Sequence, residues 1–302
     1  MNNKNKLKIK RSLRFSGSLI SYVMLAPFLF FFLLFTVIPV ITGIIVSFTD
    51  FNMLSFPSFV GFNNYIRLLV EDSEFIKSLK NTLVFSFVCG PIGYFLAFLL
   101  AWVINELPKK LRVFMTLVFY APSISGNIYF IWQFIFSGDA YGLINGFLMG
   151  IGLINEPILW LTDTSYAMAV VIIVQLWTSM GVSFLAFVAG FQSVDTTQFE
   201  AAAIDGVHNR FEELWYVTIP NMKDMLLFGA VTQIANTFMV GSITDALTGG
   251  YLSVDGSTLT IVNHMNDYGS VRYEMGYACA ISVVLFIIVY LSKRLIFRLL
   301  KW

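Results

Sequence analysis

Charge is scarce in this chain. Asp, Glu, Lys and Arg make up 12% of its 302 residues, while 57% are hydrophobic, 31 are Phe, and the mean hydropathy is +0.76. A soluble domain carries about 25% charged residues, so a water-solvated fold is excluded and an integral membrane protein is indicated. The net charge of +1 points to no nucleic-acid or acidic partner, because in a membrane chain the placement of charges matters and not their sum. Histidine is nearly absent. His208 lies in a polar insert, and His264, in "VNHMND" beside Asp267, reads as a surface-loop residue because no second ligand cluster accompanies it. Cysteine is as sparse: Cys89 and Cys279 fall inside apolar runs and read as small buried hydrophobes, with no metal, redox or disulfide spacing. No GxSxG elbow, HExxH pair or GxxxxGK[ST] phosphate loop occurs, so no cofactor, metal or nucleotide site is expected in this chain.

What the chain has is apolar length. A helix needs about 20 apolar residues to cross a hydrocarbon core of about 30 Å. Six segments meet that requirement, near 18–48, 82–105, 113–137, 166–192, 225–248 and 274–299. They are numbered 1 to 6 below. All are predicted helical, since lipid leaves backbone groups no outside partner and the alternation of a membrane β-barrel is absent. Segment 1 is longer than the core is thick, which predicts tilting, with bends at Pro27 and Pro39. The basic stretch before it, Lys4 to Arg14, resembles a secretory signal, but the apolar run is too long and no small-x-small cleavage site follows. An uncleaved first span is expected. The stretch "GLINGFLMGIGLINEPILWL", 142–161, is interrupted by Asn145, Asn155, Glu156 and Pro157 and reads as an external interfacial helix.

Orientation follows from Lys and Arg. With a cytoplasmic N-terminus, six basic residues precede segment 1, three lie in "NELPKKLR", two follow segment 4 and four lie at the C-terminus, fifteen of the nineteen in all. Arg67, Lys77, Lys80 and Arg272 are left outside, so the positive-inside rule selects N-in and C-in. The organisation expected is a cytoplasmic basic N-terminus, 1–17, and a six-helix domain, 18–302. Apart from Asp245 near the outer end of segment 5, the segment interiors hold no Asp, Glu, Lys, Arg or His. Proton relays, voltage sensing and intramembrane catalysis all need such residues, so an embedded enzyme or stand-alone channel is disfavoured and energy must come from elsewhere.

The longest polar insert on the cytoplasmic side, 195–220, contains "FEAAAIDGVHNRFEELWYVTIP". Asp195 or Thr196 can cap a first helix, Thr197 and Glu200 have capping-box spacing, the alanines favour helix, and Gly206 is a terminator. A second helix is predicted from Asn209, again with capping-box spacing to Glu212, running until Pro220. Phe211, Leu214 and Trp215 are placed to tie that helix to the membrane domain, and Ala201, Ala202 and Ala203 give the first a slim flank that fits a groove. From the residues alone, a merely solvated amphipathic loop is the other reading.

"EAAAIDG", followed by "IP" thirteen residues after the glycine, resembles the EAA signature of permease subunits of bacterial ABC importers that use substrate-binding proteins. The Asp205–Gly206 pair is similar to the carbohydrate-uptake branch related to the maltose permease subunits. "FVGFNNYIRLL", "FIKSLKNTL", "APSISGNIYFIWQFIF", "VQLWTSMG" and "MGYACAIS" extend the likeness over most of the chain. Ile219-Pro220 stands where Leu-Pro is usual, and the extra N-terminal spans and large external domain of the larger maltose subunit have no counterpart. The resemblance implies a type I ABC importer permease fold, multi-pass in the bacterial cytoplasmic membrane. It implies a second homologous permease, two ATPase subunits that bind ATP and Mg, and an extracellular or periplasmic sugar-binding protein. It makes 195–220 the coupling segment, with Glu200, Ala201, Ala202, Asp205 and Gly206 at the ATPase. Carried over residue by residue, Gln175, Thr178, Ser179, Asn236, Met239, Tyr120 and Ser123 become candidates for the substrate pathway. For each of these, interhelical bonding or packing is the alternative role. A non-sugar solute such as a glycerol phosphate ester is the alternative substrate; its phosphate favours basic pathway residues, and the segments offer none.

Overall fold

The computed structural model describes residues 20–126 and 128–299; the expected N-terminal stretch 1–17 and Lys301 lie outside the described residues. Among the described residues the chain is helical, with one isolated β-bridge, Thr49 to Phe59. Four helices are long and apolar enough to cross a membrane: Ile20–Val46, Ser73–Asn105, Ala167–Ser193 and Met275–Arg298. They correspond to segments 1, 2, 4 and 6. Segments 3 and 5 are each a bent pair, Lys109–Ile124 with Tyr129–Ile135 at 87° and Lys223–Phe238 with Ser242–Thr248 at 45°. Counting each pair once makes six.

Segment 2 begins nine residues before the expected start at 82. Asp72 caps the helix by accepting from the Phe75 N–H at 2.9 Å, and Phe75 and Ser78 are buried, so protein packing rather than lipid carries the first turns. Segment 1 is the opposite case. No residue of its apolar window is buried; it lies along segment 6 and presents the rest of its surface outward, as a lipid-facing helix would. Pro39 follows a π turn, Leu33–Val37, and Pro220 follows another, Glu213–Thr218. A proline has no N–H and its ring crowds the preceding turn, and the wider i→i+5 turn accommodates both. Hence the helix does not stop at Pro220, as its sequence predicts, but continues through Ile219–Asn221. Pro27, the other expected bend, sits in continuous helix.

The core consists of segments 2, 4, 5 and 6. Segment 2 packs against segments 4 and 5, and segment 5 against segment 6. Small residues allow the closest approaches: a Cβ on Gly229 would strike the Phe187 ring, and one on Gly93 would strike the Gln233 side chain. The stretch 142–161 contains only a short helix, Leu143–Gly150, so it forms no seventh long apolar helix. Cys89 is buried as expected, whereas Cys279 is half-buried.

At one end of the bundle, a cap of Ile261–Asn266 and Asp267–Val271 closes over segments 2 and 6. His264 lies there with no exposed surface, which corrects the surface-loop reading. Its Nε2 stands 2.8 Å from Asp72 Oδ2, and the same oxygen accepts the Tyr277 hydroxyl at 2.6 Å. "VNHMND" is too polar to signal burial; its partner sits 192 residues away. Arg67 pairs with Glu274 at 2.6 Å and lies over the Tyr277 ring, and Arg272 pairs with Asp267 at 2.6 Å and lies over Tyr268. Burial alone would push the Asp72 carboxyl up. Hydrogen bonds from Tyr277, the Phe75 N–H and His264 outweigh it and hold the group below its ordinary range.

Two outcomes are expected. A group with a depressed folded value stabilises above its unfolded value, about 3.9 for Asp, and loses that contribution as pH falls through the folded value. Thermal stability of the purified protein is therefore expected to decline on acidification through that range. Asp72→Asn, which keeps a cap acceptor, is expected to flatten part of that decline; an unchanged acid profile would contradict this. Gly276 donates its N–H to Phe51 O at 2.9 Å, and a Cβ there would collide with the Thr49 carbonyl oxygen, which cannot move alone. Gly276→Ala is expected to cost about 1–3 kcal/mol, read as a lower unfolding midpoint in detergent.

Candidate functional site

Segments 3, 4 and 5 all interrupt their helices at the same place. Segment 3 breaks after Ile124, segment 5 at Met239–Gly241, and segment 4 at Ser179–Gly181, where the Gly181 N–H donates to Ser179 O at 2.8 Å. A break releases backbone groups from the helical ladder, which membrane depth tolerates only where protein or a cavity receives them. Here the three breaks line one cleft of about 470 Å³.

All seven candidate pathway residues, Tyr120, Ser123, Gln175, Thr178, Ser179, Asn236 and Met239, line this cleft. Their hydrogen bonding divides them. Thr178 Oγ1 donates to Gln175 O at 3.1 Å, Ser179 Oγ to Leu176 O at 2.6 Å and Ser123 Oγ to Tyr120 O at 2.8 Å, so these hydroxyls already back-bond to their own helices. Among the described residues, the side-chain amides of Gln175 and Asn236 have no hydrogen-bond partner. Asn236 is exposed to the cleft, and Met239 presents 66% of its surface. The lining contains no Asp, Glu, Lys, Arg or His.

Gln233, Tyr129, Ser125 and Ser242 also line the cleft, and sequence reasoning missed them. Gln233 is 2% exposed and accepts from Ser183 Oγ at 3.1 Å. The signal available was its spacing: three residues before Asn236, it shares a helix face with it. Gly93 of segment 2 leaves the room that this amide occupies.

At the end of the bundle opposite the cap, 195–220 forms the two helices its punctuation predicts. Asp195 caps Thr196–Ile204 by accepting from the Thr197 N–H at 3.0 Å, so the Thr197–Glu200 box is not the one used. Gly206 has φ +96°, and the N–H groups of Gly206 and Val207 bond Ala203 O and Ala202 O, a Schellman ending that needs a left-handed residue. Asn209 caps the second helix by accepting from the Glu212 N–H at 2.8 Å, while the Glu212 carboxylate reaches back to the His208 N–H at 2.9 Å. Phe211 packs edge-on to Trp102 of segment 2 and Leu214 packs into the core, but Trp215 is exposed rather than a tie. Glu200, Ala201, Asp205 and Gly206 are exposed and Ala202 is half-buried. Neither Glu200 nor Asp205 makes a side-chain hydrogen bond or ion pair among the described residues. Ile204, beside them, is 87% exposed.

A bundle of apolar helices broken around an uncharged cleft, with a capped polar helix pair projecting from one end, is the architecture of a multi-pass membrane permease. Residues 89–299 match the family of binding-protein-dependent transport system inner membrane components, and the chain belongs to that family of ABC transporter permeases. It is 30% identical to the probable ABC transporter permease protein YesP of Bacillus subtilis (strain 168), over 98% of this chain and 95% of that protein. It is also 30% identical to the lactose transport system permease protein LacF of Rhizobium radiobacter, over 89% of each. Its fold is that of a chain of a bacterial ABC transporter involved in import of the acidic polysaccharide alginate, with TM-score 0.71 and 23% identity over 97% of this chain and 100% of that one.

Gly206 meets nothing within 4 Å where a Cβ would stand, so its substitution is purely a backbone matter. Gly206→Ala is expected to cost about 1 kcal/mol locally. Faster amide hydrogen exchange across 196–204, with unchanged exchange in segment 2, is the expected reading.

Proposed function

We propose that this chain is the membrane-spanning permease subunit of an ATP-driven carbohydrate importer, most simply for an oligosaccharide, forming half of the translocation pathway. The observation that carries the reading is the cleft: broken helices surround it, its lining holds no charged side chain, and among the described residues the amides of Gln175 and Asn236 have no hydrogen-bond partner. A sugar hydroxyl both donates and accepts, as an amide does, so the two are matched without any change of charge. A phosphate ester would call for cations that this lining lacks. Relatives named for transport of lactose, arabinooligosaccharides and trehalose/maltose favour the saccharide, against one named for sn-glycerol-3-phosphate transport.

In this reading the N- and C-termini and 195–220 are cytoplasmic, and the His264 cap faces the external binding protein. The other half of the cleft belongs to a second, homologous permease. Glu200, Ala201, Ala202, Asp205 and Gly206, joined by Ile204, dock on one of two ATPase subunits. Among the described residues Glu200 and Asp205 have no side-chain partner, which leaves them available across that interface. ATP and Mg bind to those subunits, whose closure moves the coupling segment and turns the cleft from inward- to outward-facing.

The test is the purified complex with its binding protein and a panel of mono- and oligosaccharides, scored by stimulated ATP hydrolysis. At least one saccharide is expected to stimulate; if none does while a phosphate ester does, the substrate class is wrong. Asn236→Ala is expected to lower uptake about five-fold, as for one lost hydrogen bond of about 1 kcal/mol. Gly206→Asp is expected to abolish uptake with the chain still inserted, and normal uptake would overturn the coupling role.

A further inference from the structure

The coupling segment touches a part of the chain that is remote from it in sequence. Within the segment, Asn221 Nδ2 donates to Gln198 Oε1 at 2.5 Å and ties the second helix back to the first. From the second helix, Arg210 Nε lies 3.5 Å from Glu106 Oε2, and Arg210 Nη1 bonds Glu213 Oε2 at 2.8 Å. Glu106 is the C-cap of segment 2. The corner that follows is stiff: Arg112 Nη2 donates to the carbonyls of Asn105 at 2.6 Å and Leu107 at 3.2 Å. Beside these bridges the two parts meet at the Trp102–Phe211 contact and through Leu214, which packs against the core, and they leave a cavity of about 300 Å³ lined by Trp102, Glu106, Arg112, Phe199 and Arg210 among others. The charged bridge spans that cavity beside the apolar contact.

We infer that Arg210 is a positioning residue that transmits displacement of the coupling segment to the inner end of segment 2 through Glu106. The inference rests on 195–220 being the coupling segment. Chain connectivity already links that segment to segments 4 and 5. The Arg210 bridge adds segment 2, which carries Gly93 and packs against segments 4 and 5, two of the three that wall the cleft. An exposed ion pair adds little to stability, so the bridge matters for where motion goes rather than for whether the chain folds. Spatial connection alone does not establish coupling, and a double-mutant cycle does.

The experiment uses the whole complex in lipid, spin-labelled at Lys109→Cys next to the corner and at a fixed position on the partner permease. Pulsed dipolar distances are measured with and without MgATP plus orthovanadate, which traps the closed ATPase dimer and requires no identified sugar. Three variants are compared in a Glu213→Gln parent, so that only the 106–210 pair changes sign: Glu106→Arg, Arg210→Glu and the double reversal. Each single reversal is expected to cut the fraction at the trapped distance at least about five-fold, the low end of measured coupling factors. The double reversal is expected to recover it to within about two-fold of the parent. Additive losses in the double variant, or no loss in the singles, would overturn the role of Arg210. Failure of the ATPase subunits to co-purify with the parent would instead overturn the coupling reading. Co-purification of the single variants with the ATPase separates a transmission defect from misassembly.

Discussion

Everything in this structure depends on one constraint: at membrane depth, each backbone N–H and C=O must find its partner inside the protein. The constraint makes the apolar segments helical and leaves few places where a helix can be interrupted. In this chain the interruptions in segments 3, 4 and 5 converge on a single cleft, and at the segment 5 break Thr260 and Asn263 donate to the freed Val240 and Gly241 carbonyls. The prolines obey the same rule by another route. Pro39 and Pro220 follow π turns that leave the helix continuous, so neither becomes a break. A break is thus informative, and a proline by itself is not.

The two ends of the bundle solve different problems. At one end a buried carboxylate, Asp72, joins the start of segment 2, the cap and segment 6, and two arginines stack on tyrosines around it. Such a network is costly to bury and stable only when each member is satisfied, which suits a part that holds its shape. At the other end the helix pair 196–221 is shaped by caps and a Schellman turn and joined to the bundle by Phe211, Leu214 and a few side-chain bridges beside a cavity. Between them, the uncharged cleft presents two amides that have no partner among the described residues.

Much was legible in the residues, and the reasons are specific. Apolar length revealed six segments, because a bilayer imposes a length that no other solvent imposes. Helix punctuation revealed 196–204 and its partner, because Asp195, Gly206 and Asn209 act on backbone groups within a few residues of themselves. The seven pathway candidates came from resemblance, and all line the cleft. The bends in segments 3 and 5 were not read from the sequence, although Pro122 with Ser125-Gly126 and Gly241 stand at the breaks, because such residues also occur in continuous apolar helices, as Pro91 does in segment 2. The early start of segment 2 was hidden because its first turns are stabilised by the cap, contributed from beyond residue 260.

What the sequence by itself determined is therefore local or solvent-driven: a helical membrane chain, the placement of its long apolar segments, its capped polar insert and the lack of charged residues in the cleft lining. These follow from residue type, spacing and the length of a bilayer. What only the tertiary structure decided is partnership across the chain. His264 and Asp72 lie 192 residues apart, and Glu106 meets Arg210 from another loop. Gln233 occupies the space that Gly93 leaves, and Gln175 and Asn236 stay unpaired beside hydroxyls that are satisfied. Packing brings such groups together or keeps them apart, and a one-dimensional pattern records only that each is polar.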